Sequence, residues 1–135
     1  MQELKLPAVI ESIPKLTAWM DEALEKLDCP MKAQMQLDVA MDEIFSNIAR
    51  YAYPDQNGAA AVRMDFDEKT RLFSLEFRDQ GIPFNPLEQA EPDTALGVEA
   101  RGIGGLGIFL VRKTMDEVGY QYTDGSNILC LKKRI

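Results

Sequence analysis

One predicted helix carries a carboxylate and a carboxamide at a spacing that could support chemistry. Glu43 and Asn47 are four residues apart, which places both side chains on one face of a helix with their Cβ atoms roughly 5–6 Å apart. A carboxylate can take a proton while a neighbouring carboxamide holds a cation. The alternative is an ordinary solvated helix face. The stripe that contains both residues is offset from the apolar stripe and comprises Gln36, Ala40, Glu43, Asn47 and Arg50.

A second candidate site is the tripeptide Asp79-Gln80-Gly81, which follows a strand-like segment. An aspartate at the end of a strand can direct its carboxylate into a cleft while the following glycine lets the backbone turn away. Because a carboxylate only accepts hydrogen bonds, it can recognise an amino group such as the exocyclic N–H of adenine. The alternative is a common turn in which Asp-x-Gly serves the backbone alone.

The third candidate is the glycine-rich stretch from Arg101 to Gly107. It contains four glycines in six residues, counted from Gly102, and opens directly onto a helical pattern. Successive backbone N–H groups in such a stretch can converge on one anion, and a helix N-terminus favours phosphate. Because the chain is acidic overall, a polyphosphate would need this local amide nest and a divalent cation. The alternative is a flexible loop with one glycine required for packing.

Two better-known nucleotide-binding folds are excluded. Gly102, Gly104 and Gly107 match G-x-G-x-x-G, but a dinucleotide-binding domain needs a strand directly before that motif and a βαβ unit around it. Here a long irregular segment precedes the motif. A eukaryotic-type protein kinase is excluded because the chain has only 135 residues and no histidine, so it cannot contain an H-R-D loop.

Hydrophobic periodicity predicts three helices and five strands around these sites. A helix capped by Ser12 runs to about Leu27, a second runs from about Met31 to Ala52, and a third runs from about Gly105 to Glu117. The predicted strands cover residues 2–7, 59–67, 71–78, 119–123 and 127–134. Residues 79–101 form a long loop with room for one short helical turn, and a loop of that length is more often functional than accidental. The predicted buried stripe of the second helix is Leu37, Met41, Ile44, Ile48 and Ala52.

Composition limits the class of protein. The net charge is −7 and 46% of residues are hydrophobic, which suits one globular domain over residues 1–135 and disfavours binding to a nucleic-acid backbone. The absence of histidine excludes mechanisms that need an imidazole within this chain. Cys29 and Cys130 are too far apart for a zinc or redox motif. These features, with no leader-like or membrane-spanning apolar run, predict a cytoplasmic protein that does not contact membranes.

Taken in order, the three sites resemble the N, G1 and G2 boxes of the GHKL ATPase superfamily, which includes gyrase B, histidine kinases and MutL. The small stand-alone branch, the bacterial anti-sigma factor serine/threonine kinases, is the most similar, and the resemblance covers nearly the whole chain. These kinases often have a histidine a few residues after the N-box asparagine, in the region where this chain has Arg50 and Tyr51. The stretches that carry the resemblance are Glu43-Ile44-Phe45-Ser46-Asn47, Arg78-Asp79-Gln80-Gly81-Ile82-Pro83-Phe84-Asn85-Pro86 and Gly104-Gly105-Leu106-Gly107-Ile108-Phe109-Leu110-Val111.

The resemblance implies a fold and a nucleotide site. The fold is a two-layer α/β sandwich, the Bergerat ATP-binding fold, with three main helices on one face of a mixed, mostly antiparallel sheet. ATP with Mg²⁺ would bind between the sheet, the second helix and the loop 79–107. Asn47 would hold Mg²⁺, Asp79 would accept from the adenine amino group, and Gly81 would let the base approach. The residues implied to wrap the phosphates are Gly102, Gly104, Gly105, Leu106 and Gly107.

The resemblance also implies a reaction and partners. Glu43 would act as the general base that deprotonates a serine or threonine hydroxyl of a protein, and Arg101 could neutralise γ-phosphate charge; residues 87–103 would form a lid. The expected substrate is a small STAS-type anti-sigma antagonist, and a sigma factor and a homodimer are further expected partners. The alternative is a nucleotide-binding interaction module with little kinase activity. The catalytic domain of a histidine kinase is disfavoured, because no helix pair carrying a histidine is present.

Overall fold

A computed structural model describes residues 2–88 and 104–135, with the backbone alone described for residues 104–106. None of the helices within these residues is both long and apolar enough to cross a membrane. The elements in chain order are β1 (Gln2–Pro7), a 3₁₀ turn (Ile10–Ser12), α1 (Ile13–Lys26), α2 (Met31–Tyr51), β2 (Ala59–Asp67), β3 (Leu72–Asp79), a second 3₁₀ turn (Pro86–Glu88), α3 (Gly104–Thr114), β4 (Glu117–Thr123) and β5 (Ser126–Arg134).

The five strands form one sheet in the order β1-β2-β3-β5-β4. Each neighbouring pair is antiparallel, so the expected mostly antiparallel α/β fold is confirmed, and no parallel pair occurs among the described strands. The central strand, β3, lies between β2 and β5. At its end Asp79 is opposite Ala60 on one side and Asn127 on the other.

The hydrophobic core lies between one face of the sheet and the helices. On β3, Phe73, Leu75 and Phe77 alternate toward this core, and each is almost fully buried. Burial of a side chain of this size stabilises the fold by about 1.5–3 kcal/mol relative to its exposure. Because side chains alternate along a strand, the next residue of the same series is Asp79, which therefore also faces the helix layer. Regular alternation thus brings a carboxylate to the inner face of the sheet.

Helix α2 brings polar groups to the same layer. Leu37, Met41 and Ile44 of its predicted core stripe are buried as expected, whereas Ile48 is only partly buried. Asn47 lies three residues after Ile44, on the buried side, and is 3% exposed. The helix therefore delivers a carboxamide to the core face of the sheet near the end of β3.

The predicted cap of α1 and the predicted limits of β3 and α3 were wrong. Ser12 does not cap α1 with its side chain, because its backbone is already helical at the end of the 3₁₀ turn; its hydroxyl donates instead to the carbonyl of Pro7 (2.8 Å). β3 begins at Leu72, since Arg71 has a φ of 57° and ends the preceding turn. α3 ends at Thr114 rather than at Glu117, because the backbone N–H of Asp116 already donates to Lys132 of β5.

Candidate functional site

Two of the three predicted sites meet in one cavity between α2 and the sheet. Asn47 from α2 and Asp79 from β3 both line it, and they are 3% and 5% exposed. Burial of two polar side chains at one place is costly unless they are hydrogen bonded or serve a ligand. Other residues that line the cavity and bear on its chemistry are Phe84, Pro86, Tyr120 and Asn127.

Two hydrogen bonds fix the carboxylate of Asp79, and both are made to the same oxygen. Oδ1 accepts hydrogen bonds from the backbone N–H of Gly81 and from Nδ2 of Asn127, both at 2.9 Å. Within residues 2–88 and 107–135, no hydrogen bond reaches Oδ2. Burial raises the pKa of Asp79, and the hydrogen bonds from Asn127 and Gly81 act in the opposite direction by stabilising the charged form. The arrangement leaves one acceptor oxygen for an amino group of a ligand.

Asn127 is a site residue that the sequence reasoning missed. It is the second residue of β5 and is 5% exposed, and it lies opposite Asp79 in the β3–β5 pairing. The available sequence signal was an asparagine directly after the predicted turn Asp124-Gly125-Ser126. That signal says nothing about which strand the asparagine will face, because the pairing joins residues 48 positions apart.

The structure shows why position 81 is a glycine, which the sequence alone did not reveal. A Cβ at this position would overlap the backbone carbonyl of Ala52 at the end of α2, and the next residue, Ile82, donates its N–H to that same carbonyl (2.9 Å). The glycine therefore lets the segment after β3 pass directly against the end of α2. The predicted approach of an adenine at Gly81 stays a prediction.

Glu43 lies against the glycine-rich stretch. A Cβ added at Gly107 would overlap the Glu43 carboxyl group, so that carboxyl packs directly on the Cα of Gly107. Burial raises the pKa of Glu43, its neighbour Asp42 raises it further, and Arg50 lowers it. The packing of α3 on α2 thus places a carboxylate with increased basicity at the first turn of a helix.

The donor set around Asn47 fits a small hard cation. Its Nδ2 is buried with no hydrogen-bond partner among the described residues. This group only donates, so it calls for an acceptor oxygen of a ligand rather than for the cation itself. A carboxamide oxygen and the nearby carboxylate of Glu43 are oxygen ligands of the type that Mg²⁺ accepts. Among the described residues, no group of three or more His, Cys, Asp or Glu side chains could hold a metal ion.

The segment after Gly81 closes the cavity. The ring of Phe84 packs against that of Tyr51 with 5.4 Å between centroids, Pro86 is buried, and Arg112 of α3 donates to the carbonyl of Leu87. The enclosed space is about 20 Å³, which is room for roughly one water molecule. A purine is several times larger than this space, which is lined by Phe84 and Pro86 from this segment.

The remaining predicted residues are described only in part. Gly104, Gly105 and Leu106 belong to the backbone of the first turn of α3, so this part of the glycine stretch is helical. Arg101, Gly102 and most of the predicted lid 87–103 lie outside the described residues. The roles given to them stay predictions.

Comparisons with known proteins support one family. Residues 6–133 match the family described as histidine kinase-like ATPase domain. The chain is 26% identical over 113 residues to the serine/threonine-protein kinase BtrW of Bordetella bronchiseptica, covering 84% of this chain and 79% of that protein. It is 24% identical over 132 residues to the serine-protein kinase RsbW of Bacillus thuringiensis, covering 96% of this chain and 82% of that protein.

Two solved structures share the fold. The crystal structure of the RsbU and RsbW domains of a Mycobacterium tuberculosis protein matches 99% of this chain with a TM-score of 0.66 and 13% identity. The histidine kinase domain of a blue-light-activated kinase from Erythrobacter litoralis matches 96% with a TM-score of 0.59 and 13% identity. This chain spans 32% and 61% of those two chains, and at such identities the likeness is one of fold.

Proposed function

This chain belongs to the histidine kinase-like ATPase domain family, and we propose that it is an ATP-dependent serine/threonine protein kinase of the anti-sigma factor type, acting as a single unit over residues 1–135. The observation that supports the proposal best is the convergence of three sequence motifs. Asn47 and Asp79 line one cavity, and the Glu43 carboxyl packs on Gly107.

Nucleotide binding would use the two ends of this arrangement. Oδ2 of Asp79 would accept a hydrogen bond from the adenine amino group. Backbone N–H groups at the start of α3 would face the phosphates, where the helix dipole favours negative charge. Asn47 would hold Mg²⁺, which neutralises phosphate charge when it is bound. Residues 82–88 close over the base after it enters.

Glu43 would then act on the protein substrate. Its carboxylate accepts the proton of a serine or threonine hydroxyl as the hydroxyl oxygen bonds to the γ-phosphorus. The bond from the γ-phosphorus to the oxygen bridging the β-phosphate breaks, and its electron pair leaves with ADP. The raised pKa of Glu43 suits this role, because a base with a pKa nearer to neutrality accepts a proton more readily.

The partners are proposed from the relatives. BtrW and RsbW are named protein kinases, and the proposed substrate here is a small STAS-type anti-sigma antagonist. A sigma factor is the second proposed partner, and a second copy of this chain is the third.

The test is phosphotransfer to candidate STAS-domain proteins. With γ-labelled ATP and Mg²⁺ we expect label on the STAS protein, and we expect Glu43→Gln to abolish the label while nucleotide binding persists. Tight binding of ATP without transfer to any such protein would support the nucleotide-binding module with little kinase activity.

A binding assay tests the site itself. Ligand at 100 times its Kd stabilises a folded protein by roughly 2.7 kcal/mol, so ADP or ATP with Mg²⁺ should raise the melting temperature while NADH should raise it much less. Absence of any response to adenine nucleotides would reject the proposed function.

A further inference from the structure

We propose that Asn127 is a positioning residue of the nucleotide site, whose carboxamide turns Asp79 toward the ligand and ties the segment that closes the cavity to the sheet. The inference rests on the proposed function, because it concerns how the same site is held. It assigns Asn127 no contact with the nucleotide.

The orientation of the Asn127 carboxamide is fixed by its backbone partners. The N–H of Phe84 can only donate, so the atom that it meets at 3.1 Å is the carboxamide oxygen. The carbonyl of Ile82 can only accept, so the atom that it meets at 2.8 Å is Nδ2. The second hydrogen of Nδ2 is then directed at Oδ1 of Asp79, at 2.9 Å.

All the hydrogen-bonding capacity of this carboxamide is used. Nδ2 donates to Asp79 and Ile82, while Oδ1 accepts from Phe84 and from the hydroxyl of Tyr120. A side chain with two donors and two acceptor lone pairs has nothing left for a ligand. The function of Asn127 must therefore act through its neighbours.

Its effect on Asp79 concerns both direction and charge. Two donors on Oδ1 fix the rotation of the carboxylate, so the remaining oxygen, Oδ2, is the one presented to a ligand. The same donation favours the ionised carboxylate in a buried place that otherwise disfavours it. An ionised Asp79 is the form that accepts from an amino group through either lone pair of Oδ2.

Its second effect concerns the closing segment. Ile82 and Phe84 both form hydrogen bonds to Asn127 through their backbone. Both belong to the first half of the closing segment, before the buried Pro86. The Asn127 side chain thus connects the Asp79 carboxylate, which would recognise adenine, to the backbone of the segment that would close over it.

The experiment measures the Kd for ADP by calorimetry between pH 5 and pH 8. The Kd of each variant is divided by the wild-type Kd at the same pH, so that the titration of ADP itself cancels. In Asn127→Ala we expect about a tenfold or greater loss of affinity at pH 8. The Kd ratio increases further as the pH falls, because Asp79 without the Nδ2 donor has a higher pKa and is protonated at a higher pH than in the wild type.

The isosteric variant Asn127→Asp gives the opposite pH dependence. At pH 8 two carboxylates face each other and ADP binds weakly. On acidification one proton is shared between them and restores a donor to Asp79, so the affinity relative to wild type improves. The control is Leu131→Val on the same strand, a core residue that is 1% exposed; it lowers thermal stability and leaves the ratio near one at every pH.

A measurement on the wild-type protein tests the inference even if the variants fail to fold. In a ¹⁵N spectrum, both side-chain amide protons of Asn127 should be protected from exchange, and their shifts should follow the titration of Asp79. Opposite pH trends for the two variants, or this titration, support the inference. Variant affinities that are pH-independent multiples of wild type, or an unprotected Asn127 amide, overturn it. Failure of wild type itself to bind ADP instead rejects the proposed function.

Discussion

The two ends of the proposed nucleotide site are built differently. At the base-recognition end, Asp79 has two hydrogen bonds on one oxygen and its partner Asn127 is fully satisfied. At the phosphate end, Nδ2 of Asn47 is buried with no partner in the described part of the chain, and Glu43 is held by packing on a glycine. The first end is preorganised for one group of a ligand, whereas at the second end the Nδ2 of Asn47 still needs an acceptor oxygen from a ligand.

Because of this difference, nucleotide binding and phosphate transfer should respond to different substitutions. A change at the base end should alter nucleotide affinity, because the hydrogen bonds there exist before the ligand arrives. A change at the phosphate end should alter the rate of transfer, because positioning of a base relative to a hydroxyl and a phosphate dominates that step.

The largest effect is expected for Gly107→Ala. The new methyl group would occupy the place of the Glu43 carboxyl, and a displacement of about 1 Å can cost on the order of 100-fold in rate. Alanine is favoured over glycine inside a helix by roughly 0.5–1 kcal/mol, so the unfolding free energy should not fall. Transfer of label from γ-labelled ATP and thermal unfolding measure the two quantities. A variant that transfers phosphate at the wild-type rate would show that the Glu43–Gly107 contact has no role in the reaction.

The next effect is expected for Asp79→Asn, which changes the base end. The amide can turn a donor toward the adenine amino group, and two facing donors, one left unpaired, cost about 1–3 kcal/mol. We therefore expect a roughly 10- to 100-fold weaker Kd for ADP by calorimetry. With saturating ATP, the transfer rate should fall much less than it does in Gly107→Ala. Equal losses of affinity and saturated rate would mean that the two ends are not separable.

These two predictions use residues whose placement could be read from the sequence to different degrees. Asp79 continues the alternation of Phe73, Leu75 and Phe77, so its inward direction follows from the period of a strand. Glu43 and Asn47 share a helix face by spacing. In contrast, the Glu43–Gly107 contact and the Asp79–Asn127 pair depend on which helix packs on α2 and on the register of β3 with β5. Such long-range pairings have no local signal, and for that reason neither the contact of Gly107 with Glu43 nor the role of Asn127 was predicted.

A smaller effect is expected for Gly81→Ala, which tests whether the base end depends on the close passage of the chain. A methyl group here meets the backbone of Ala52, which cannot move as easily as a flexible side chain. Forcing an extra group into a packed site costs about 1–3 kcal/mol. Thermal unfolding should show a lower melting temperature, and the Kd for ADP should weaken because the N–H of Gly81 binds Asp79. An unchanged melting temperature would contradict the tight passage.

The smallest effect separates the titration of the site from that of the rest of the fold. Asp38 on α2 faces Asp21 on α1, and one oxygen of each is buried without a donor in the described part of the molecule. Burial, together with the neighbouring carboxyl of Asp21, raises the pKa of Asp38 to about 7. A carboxyl whose pKa is higher in the folded than in the unfolded state stabilises the fold at low pH, and this stabilisation is lost as pH rises through about 7.

The free energy of unfolding should therefore decrease between pH 5 and pH 8, by no more than about 1 kcal/mol because Asp38 is partly exposed to solvent. Protonation of Asp79, whose pKa is also raised by burial, would act on the affinity for ADP in the opposite direction, because a neutral carboxyl group is a poorer acceptor for an amino group. Asp38→Asn should flatten the pH dependence of stability measured by urea unfolding and leave that of ADP binding intact. If it flattened both, the acid loss of binding would come from the α1–α2 contact, and the base end would no longer be the titrating region.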